Sequence, residues 1–217
     1  MPDLNRNAMD VVFAELAPFN GKTLLDIGCG KGPLCAPLTQ AGAVWRGLDP
    51  GVITSELPID TGTAEEMPYA DNSFDMAICV NALHHVPVAG MGTGLNETAR
   101  VLRSGGKLVV IEPRATGALS QVIAIVDDET EIRGAAQDAM NRTTTLVQRK
   151  AYDYAREDLY VDFDRFCEVL ISVDPVRAGQ IVAKKDELQA TFMRLAKRVE
   201  QGWTLSQPMS VRVFQPV

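Results

Sequence analysis

An α/β fold is predicted, with a mostly parallel sheet, helices on both of its faces, an antiparallel final strand and a helical insertion before that strand. Three observations carry this expectation. Short apolar strands without alternation recur along residues 1–113, the pattern of strands buried on both faces. Helical stripes separate them, which calls for parallel strands joined by right-handed crossovers. Thirteen of the 17 glycines fall in the same stretch, so tight turns belong there and long helices to the remainder.

The elements follow in order. Ala8, Val11, Val12 and Leu16 form a helical stripe that Pro18 closes. Thr23 to Ile27 is an apolar run ending in glycines, hence a buried strand. Pro33 to Ala41 reads as a helix and Ala43 to Leu48 as the second strand. Met76 to Val80 is a further strand, and Leu95 to Leu102 a helix with Leu95, Ala99 and Leu102 on one side. Ser104-Gly105-Gly106 marks a turn before the strand Lys107 to Ile111. Beyond Pro113, Leu119, Val122, Ile123 and Val126 repeat at helical spacing, as do Leu188, Phe192, Leu195 and Val199. Between them lie Tyr152, Tyr154, Tyr160, Phe163 and Phe166. Either Leu159 to Val161 or Gly202 to Leu205 supplies a sixth strand, and Met209 to Phe214 alternates as a closing one. The expected organisation is a core over residues 1–113, a helical lid over 114–203 and a closing strand over 204–217.

Composition excludes several classes. The 217 residues are 46 % apolar and 23 % charged, the balance of a globular chain rather than a disordered or fibrous one. No run of 18 apolar residues exists, so no membrane span is expected. Residues 1–19 carry Asp3, Asp10 and Glu15 and no long apolar stretch, so a secretory signal is not expected and a cytoplasmic location is. The net charge of −7 opposes a broad nucleic-acid footprint, which needs clustered Lys and Arg. Four cysteines (29, 35, 79 and 167) form no CxxC pair, and the two histidines are adjacent, so no metal site is expected and the thiols read as reduced. The acidic run Asp127-Asp128-Glu129 and the mixed run Lys184-Lys185-Asp186-Glu187 read as solvated helix ends.

Four polar residues, Asp26, Asp49, Asn81 and Glu112, stand at four strand exits. Ligands on parallel sheets bind beyond those carboxyl ends. Asp26-Ile27-Gly28-Cys29-Gly30-Lys31-Gly32 joins a strand to a helix, where glycines let the backbone approach a ligand and the helix start offers N–H donors. Its GxGxG spacing differs from the GxGxxG of dinucleotide binders, and Gly32 after Lys31 is not the Ser or Thr of a P-loop. Asp49 follows Gly30 by nineteen positions, where a carboxylate can accept from both ribose hydroxyls. The alternative is a turn-capping Asp before Pro50.

The chain resembles the class I S-adenosylmethionine-dependent methyltransferases, in the broad group that includes the ubiquinone/menaquinone C-methyltransferases. The resemblance rests on Leu24 to Gly32, Gly47-Leu48-Asp49, Gly62 to Pro68, Asp71 to Asp75, Asn81 to Val86 and Glu97 to Leu108, in the family's order over residues 20–113. It implies a Rossmann-like core with S-adenosyl-L-methionine as cofactor. It implies that Gly28 and Gly30 line the amino-acid part, that Asp26 orients that part through the loop, and that Asp49 holds the ribose. Thr63, Ala64 and Glu65 would flank the adenine and Asn81 would face the methionine, with Cys29, Pro50 and Ala82 among the cofactor-binding positions. Met67 is either a wall of the adenine slot or plain core. Lys31 and Pro33 stand where the family often has small residues, and the last hundred residues carry no match that names a substrate.

Methyl transfer needs alignment and exclusion of water, and a base only where the acceptor loses a proton. His84 and His85 are the candidates, and since adjacent side chains diverge, one at most faces the pocket; His85 is the first choice. Glu112 either touches substrate or is a solvated residue before Pro113. Tyr152, Tyr154 and Tyr160 either wall an acceptor or belong to the core. The expected activity is methylation of a small-molecule acceptor, with a non-catalytic S-adenosylmethionine- or S-adenosylhomocysteine-binding regulatory protein as the alternative. No Pro-Pro-aromatic motif follows Asn81, which opposes methylation of protein or nucleic acid. The sequence leaves the oligomeric state, monomer or homodimer, open.

Overall fold

The apolar run Thr23–Ile27 forms strand β1, buried from Leu24 onward. The computed structural model describes residues 6–52 and 56–217, so Asp3 lies outside the described residues. Helix α1, Ala8–Leu16, begins on a reciprocal cap in which Asn7 and Asp10 each accept the other's backbone N–H, and it buries Val11, Val12 and Leu16. Helix α2, Cys35–Gln40, starts two residues later than its predicted Pro33. The intervening residues form tight turns instead, with Gly32 N–H donating to the Cys29 carbonyl at 2.9 Å and Cys35 N–H to the Gly32 carbonyl at 3.1 Å.

Strands β2 (Val44–Asp49), β3 (Ile59–Thr61) and β4 (Phe74–Val80) follow. A short 3-10 turn spans Leu83–His85, and helix α3 spans Met91–Val101. Strand β5, Leu102–Pro113, is longer than predicted. It absorbs Ser104-Gly105-Gly106 as a bulge: Phe74 pairs with Leu102, yet Met76 pairs with Lys107. β1 pairs in parallel with β2 and β4, β2 with β3, and β4 with β5. Because Ile27 is level with Leu48 and Cys79, and Val80 with Ile111, the ends of these strands reach one edge together.

The rest of the chain comprises α4 (Ala118–Ile123), α5 (Thr130–Arg142), β6 (Leu146–Tyr160), α6 (Phe163–Val173), α7 (Arg177–Ala183), α8 (Lys185–Leu195), β7 (Lys197–Val199) and β8 (Gly202–Pro216). The eight-stranded sheet runs β3-β2-β1-β4-β5-β8-β6, with β7 antiparallel on β8. The stretch expected to be a helical lid therefore contains a fifteen-residue strand, β6. Neither proposed sixth strand stands alone: Leu159 and Tyr160 end β6, and Gly202 to Leu205 opens β8. Val199 leaves the helical stripe and lies in β7.

Two units divide the chain. One comprises Arg6–Glu112, Ala135–Asp153 and Ser210–Val217 and holds the parallel strands. The other includes Pro113–Gly134 and Tyr154–Met209. The second has its own apolar core, in which Phe166 meets Phe192 at 5.0 Å between ring centroids and Tyr160 edge-on at 5.1 Å. Tyr160 is thus a core residue. Tyr154 is buried as well, while in the first unit Tyr152 donates its hydroxyl to Glu15 at 2.8 Å. The acidic run is not simply solvated: Asp127 accepts from Arg177 Nε at 2.8 Å, Glu129 pairs with Arg133 and Arg177, and only Asp128 acts as a helix end, accepting from Thr130 N–H. Among the described residues no helix is long and apolar enough to cross a membrane.

Candidate functional site

The loop after β1 is shaped by its glycines. Gly28, Gly30 and Gly32 have φ of +67°, +54° and +73°, the left-handed region where side chains are strained. At Gly28 a Cβ would also stand 2.4 Å from the Ala82 Cβ. Gly28 and Cys29 both donate N–H to the Leu48 carbonyl, at 2.8 and 3.2 Å, which ties the loop to the end of β2. There Asp49 is fixed at both oxygens: Oδ2 accepts from Gly30 N–H and Oδ1 from Gly51 N–H, each at 2.8 Å. Each carboxylate oxygen keeps a lone pair for a ligand hydroxyl.

Beside this loop opens a cleft of about 490 Å³ in the first unit. Gly28, Asp49 and Pro50 line it on one side and Thr63, Ala64 and Glu65 on another. Asn81, Ala82 and His85 line it beyond β4. Four other predicted site residues do not line it. Gly30 orients Asp49 through its N–H. Cys29 is buried, its thiol close to the open face of Gly47. Asp26 is 2 % exposed and accepts from Trp45 Nε1 at 3.2 Å. His84 is 3 % exposed and pairs through Nδ1 with Glu112 Oε2. The pocket-facing candidate base is therefore His85, whose ring centroid lies 4.1 Å from that of His84.

Glu112 corrects the sequence reading, since it is neither solvated nor in the cleft. It is 1 % exposed, and its Oε1 accepts from Ala82 N–H at 3.0 Å and Leu83 N–H at 2.8 Å. Its carboxylate caps the 3-10 turn at the orphan donors and holds His84. Asn81 enters this turn at φ +52° with its N–H on the Ile111 carbonyl at 2.8 Å. Met67 is buried and outside the cleft, hence core. Sequence reasoning missed the part of the wall formed by Gly94, Leu95 and Thr98 of α3 and by Leu108 and Val110 of β5. Gly94 lets α3 approach the loop: a Cβ there would lie 3.1 Å from the Ala64 Cβ.

Burial sets the titration of the site. Desolvation pushes Asp26 up to about 7; Trp45 opposes this and Asp49 adds to it. Burial, with Asp26 and Asp49 nearby, pushes the Cys29 thiol up to about 12, and burial raises Cys79 well above the usual range. These thiols are not nucleophiles at neutral pH. Among the described residues that line the cleft, Asp49 and Glu65 are acidic and none is Lys or Arg.

A parallel sheet with a glycine loop after its first strand and a carboxylate at the end of the second frames a ligand site at the carboxyl edge of an α/β sheet. The family described as "Methyltransferase domain" matches residues 25–110. The ubiquinone biosynthesis O-methyltransferase of Azorhizobium caulinodans is 32 % identical over 131 residues, 55 % of this chain and 51 % of that protein. The protein of the same name from Bartonella tribocorum is 26 % identical over 85 % of this chain and 76 % of its own length. The chain thus spans about half the length of the first of these relatives. A crystal structure of a Bacillus halodurans protein described as a methyltransferase superposes with a TM-score of 0.61 at 16 % identity, covering 97 % of this chain and 99 % of that one. The cyclase SpnF superposes with a TM-score of 0.58 at 19 % identity, covering 96 % of this chain and 79 % of that one. These likenesses show the fold. The family match and the motifs together make residues 25–110 similar to a methyltransferase domain.

Proposed function

We propose that the chain methylates a small-molecule acceptor at oxygen, with S-adenosyl-L-methionine as donor. The observation that carries the reading is the pairing of Asp49, held ready for a ribose by two backbone N–H groups, with a cleft that has acidic residues and no Lys or Arg among its described lining. A cationic nucleoside suits such a site, whereas the pyrophosphate of a dinucleotide would meet carboxylates without a counter-charge. Oxygen is the first acceptor atom to test because the two O-methyltransferase relatives carry that chemistry in their names.

When bound, S-adenosyl-L-methionine supplies a methyl group on a sulfonium, already activated for in-line displacement. In this reading Asp49 holds the ribose, Thr63, Ala64 and Glu65 flank the adenine, and Gly28 with Ala82 lets the backbone approach the amino-acid end. Asn81 faces the methionine, and His85 takes the hydroxyl proton as the new O–C bond forms. Acceptor choice is assigned to the lid stretch, residues 114–203. It lacks the cofactor motifs, and the second unit, which holds most of it, has a core of its own.

The test is transfer of labelled methyl to a panel of phenols, amines and thiols. Transfer to phenolic oxygen is expected, with His85→Gln lowering kcat by about 10²-fold and leaving S-adenosylhomocysteine affinity unchanged. Cofactor binding without transfer to any acceptor would favour the non-catalytic alternative.

A further inference from the structure

We infer that Trp45 is a positioning residue for the glycine loop, bracing it from beneath and fixing the buried Asp26 carboxylate behind it, so that the loop is held in its ligand-binding shape; this rests on the cofactor reading above. Trp45 lies on β2 level with Leu24, and Gly47, two residues on, is level with Asp26. Residues two apart on a strand share a face. Gly47 has no side chain on that face, so the indole runs along the strand. A Cβ at Gly47 would stand 2.7 Å from Trp45 Cη2. The far edge of the ring reaches the loop, with Cη2 3.2 Å from where a Cβ of Gly32 would begin. Its Nε1 donates to Asp26 Oδ2 at 3.2 Å. One buried side chain, 4 % exposed, thus touches both ends of the loop's frame, Asp26 before it and Gly32 at its close.

The titratable groups around Asp26 are Asp49 at the end of β2, Cys29 in the loop and Cys79 on β4. Burial keeps both thiols protonated at neutral pH, which leaves Asp49 as the charge among these that opposes ionisation of Asp26 and the indole N–H as the donor that favours it. Removing the indole N–H shifts ionisation of Asp26 to higher pH. A loop shape that depends on the carboxylate, and the ligand that the loop holds, are then lost at higher pH as well.

The experiment is calorimetric titration of the full chain with S-adenosylhomocysteine from pH 6 to 9, for the parent, Trp45→Phe and Asp26→Asn. Phe keeps most of the ring and removes the donor. The expected result is parent affinity that falls on the acid side of about pH 7, and about tenfold weaker binding by Trp45→Phe at pH 7.5. The fall in Trp45→Phe is displaced to higher pH, and Asp26→Asn binds weakly with no such fall. Unchanged affinity in Trp45→Phe, or a loss with an unmoved pH profile, overturns the inference while leaving the cofactor reading intact. Absence of parent binding at every pH overturns the cofactor reading and this inference with it. Should Trp45→Phe fail to fold, Trp203→Phe leaves Trp45 as the one indole. Its emission is expected to change saturably with S-adenosylhomocysteine, with the parent's pH dependence, and an unresponsive emission while ligand binds contradicts the assignment.

Discussion

Asp26→Asn is expected to stabilise the fold above pH 7 by up to about 4 kcal/mol while weakening cofactor binding. Asp26 is 2 % exposed, and desolvation pushes it from 3.8 up to about 7. Between those values the folded chain holds a proton that the unfolded chain has released. Stability therefore falls as pH rises from about 4 to about 7, and is flat with respect to this group above that. Asn still accepts from Trp45 Nε1 but carries no charge, so the variant lacks this fall. Urea unfolding at pH 5, 6, 7 and 8 checks it, with the two curves diverging as pH rises. Parallel curves would mean that Asp26 ionises without a burial penalty. The gain in stability with loss of binding is the expected signature of a group retained for function against the fold's interest.

Glu112→Ala is expected to cost about 3–5 kcal/mol, because it strands buried donors and leaves His84 without its partner. Three hydrogen bonds converge on this one side chain, from Ala82 N–H, Leu83 N–H and His84 Nδ1. Glu112→Gln retains an oxygen for the two backbone groups and loses the charge opposite the imidazole, and is expected to cost about 1–2 kcal/mol. The order matters more than the sizes. Denaturant midpoints should rank parent, Gln, Ala, and S-adenosylhomocysteine affinity should fall in the same order because Ala82 and Asn81 belong to the same turn. An alanine variant within about 0.5 kcal/mol of the parent would show that the turn stands without the carboxylate.

What the sequence made legible is what depends on neighbours along the chain. The strand Thr23–Ile27 was readable to the residue, since an apolar run ends there in glycines. Asp49 was readable from its place at a strand end after that loop, and it lines the cleft. What stayed hidden depends on partners far away. Glu112 meets its donors 28 to 30 positions back, so nothing local marks it as buried. Asp127 and Arg177 are 50 apart, and the acidic run looked solvated for that reason. Strand β6 was missed because its first nine residues are mostly exposed and include Gln148, Arg149, Lys150 and Asp153, so no apolar alternation announces it. The wall of the cleft from α3 and β5 escaped because Leu95 and Leu108 carry the same apolar signal whether they face a cavity or a packed core.

The central claim is that Asp49 and the glycine loop form a site for S-adenosylmethionine. Calorimetric titration with S-adenosylhomocysteine, with NAD as control and Asp49→Ala as the comparison, tests it most directly. The account predicts micromolar binding of S-adenosylhomocysteine, about 8 kcal/mol, no binding of NAD, and loss of most of that affinity in a folded Asp49→Ala. Binding of NAD alone, or equal S-adenosylhomocysteine affinity with and without the Asp49 carboxylate, would contradict it.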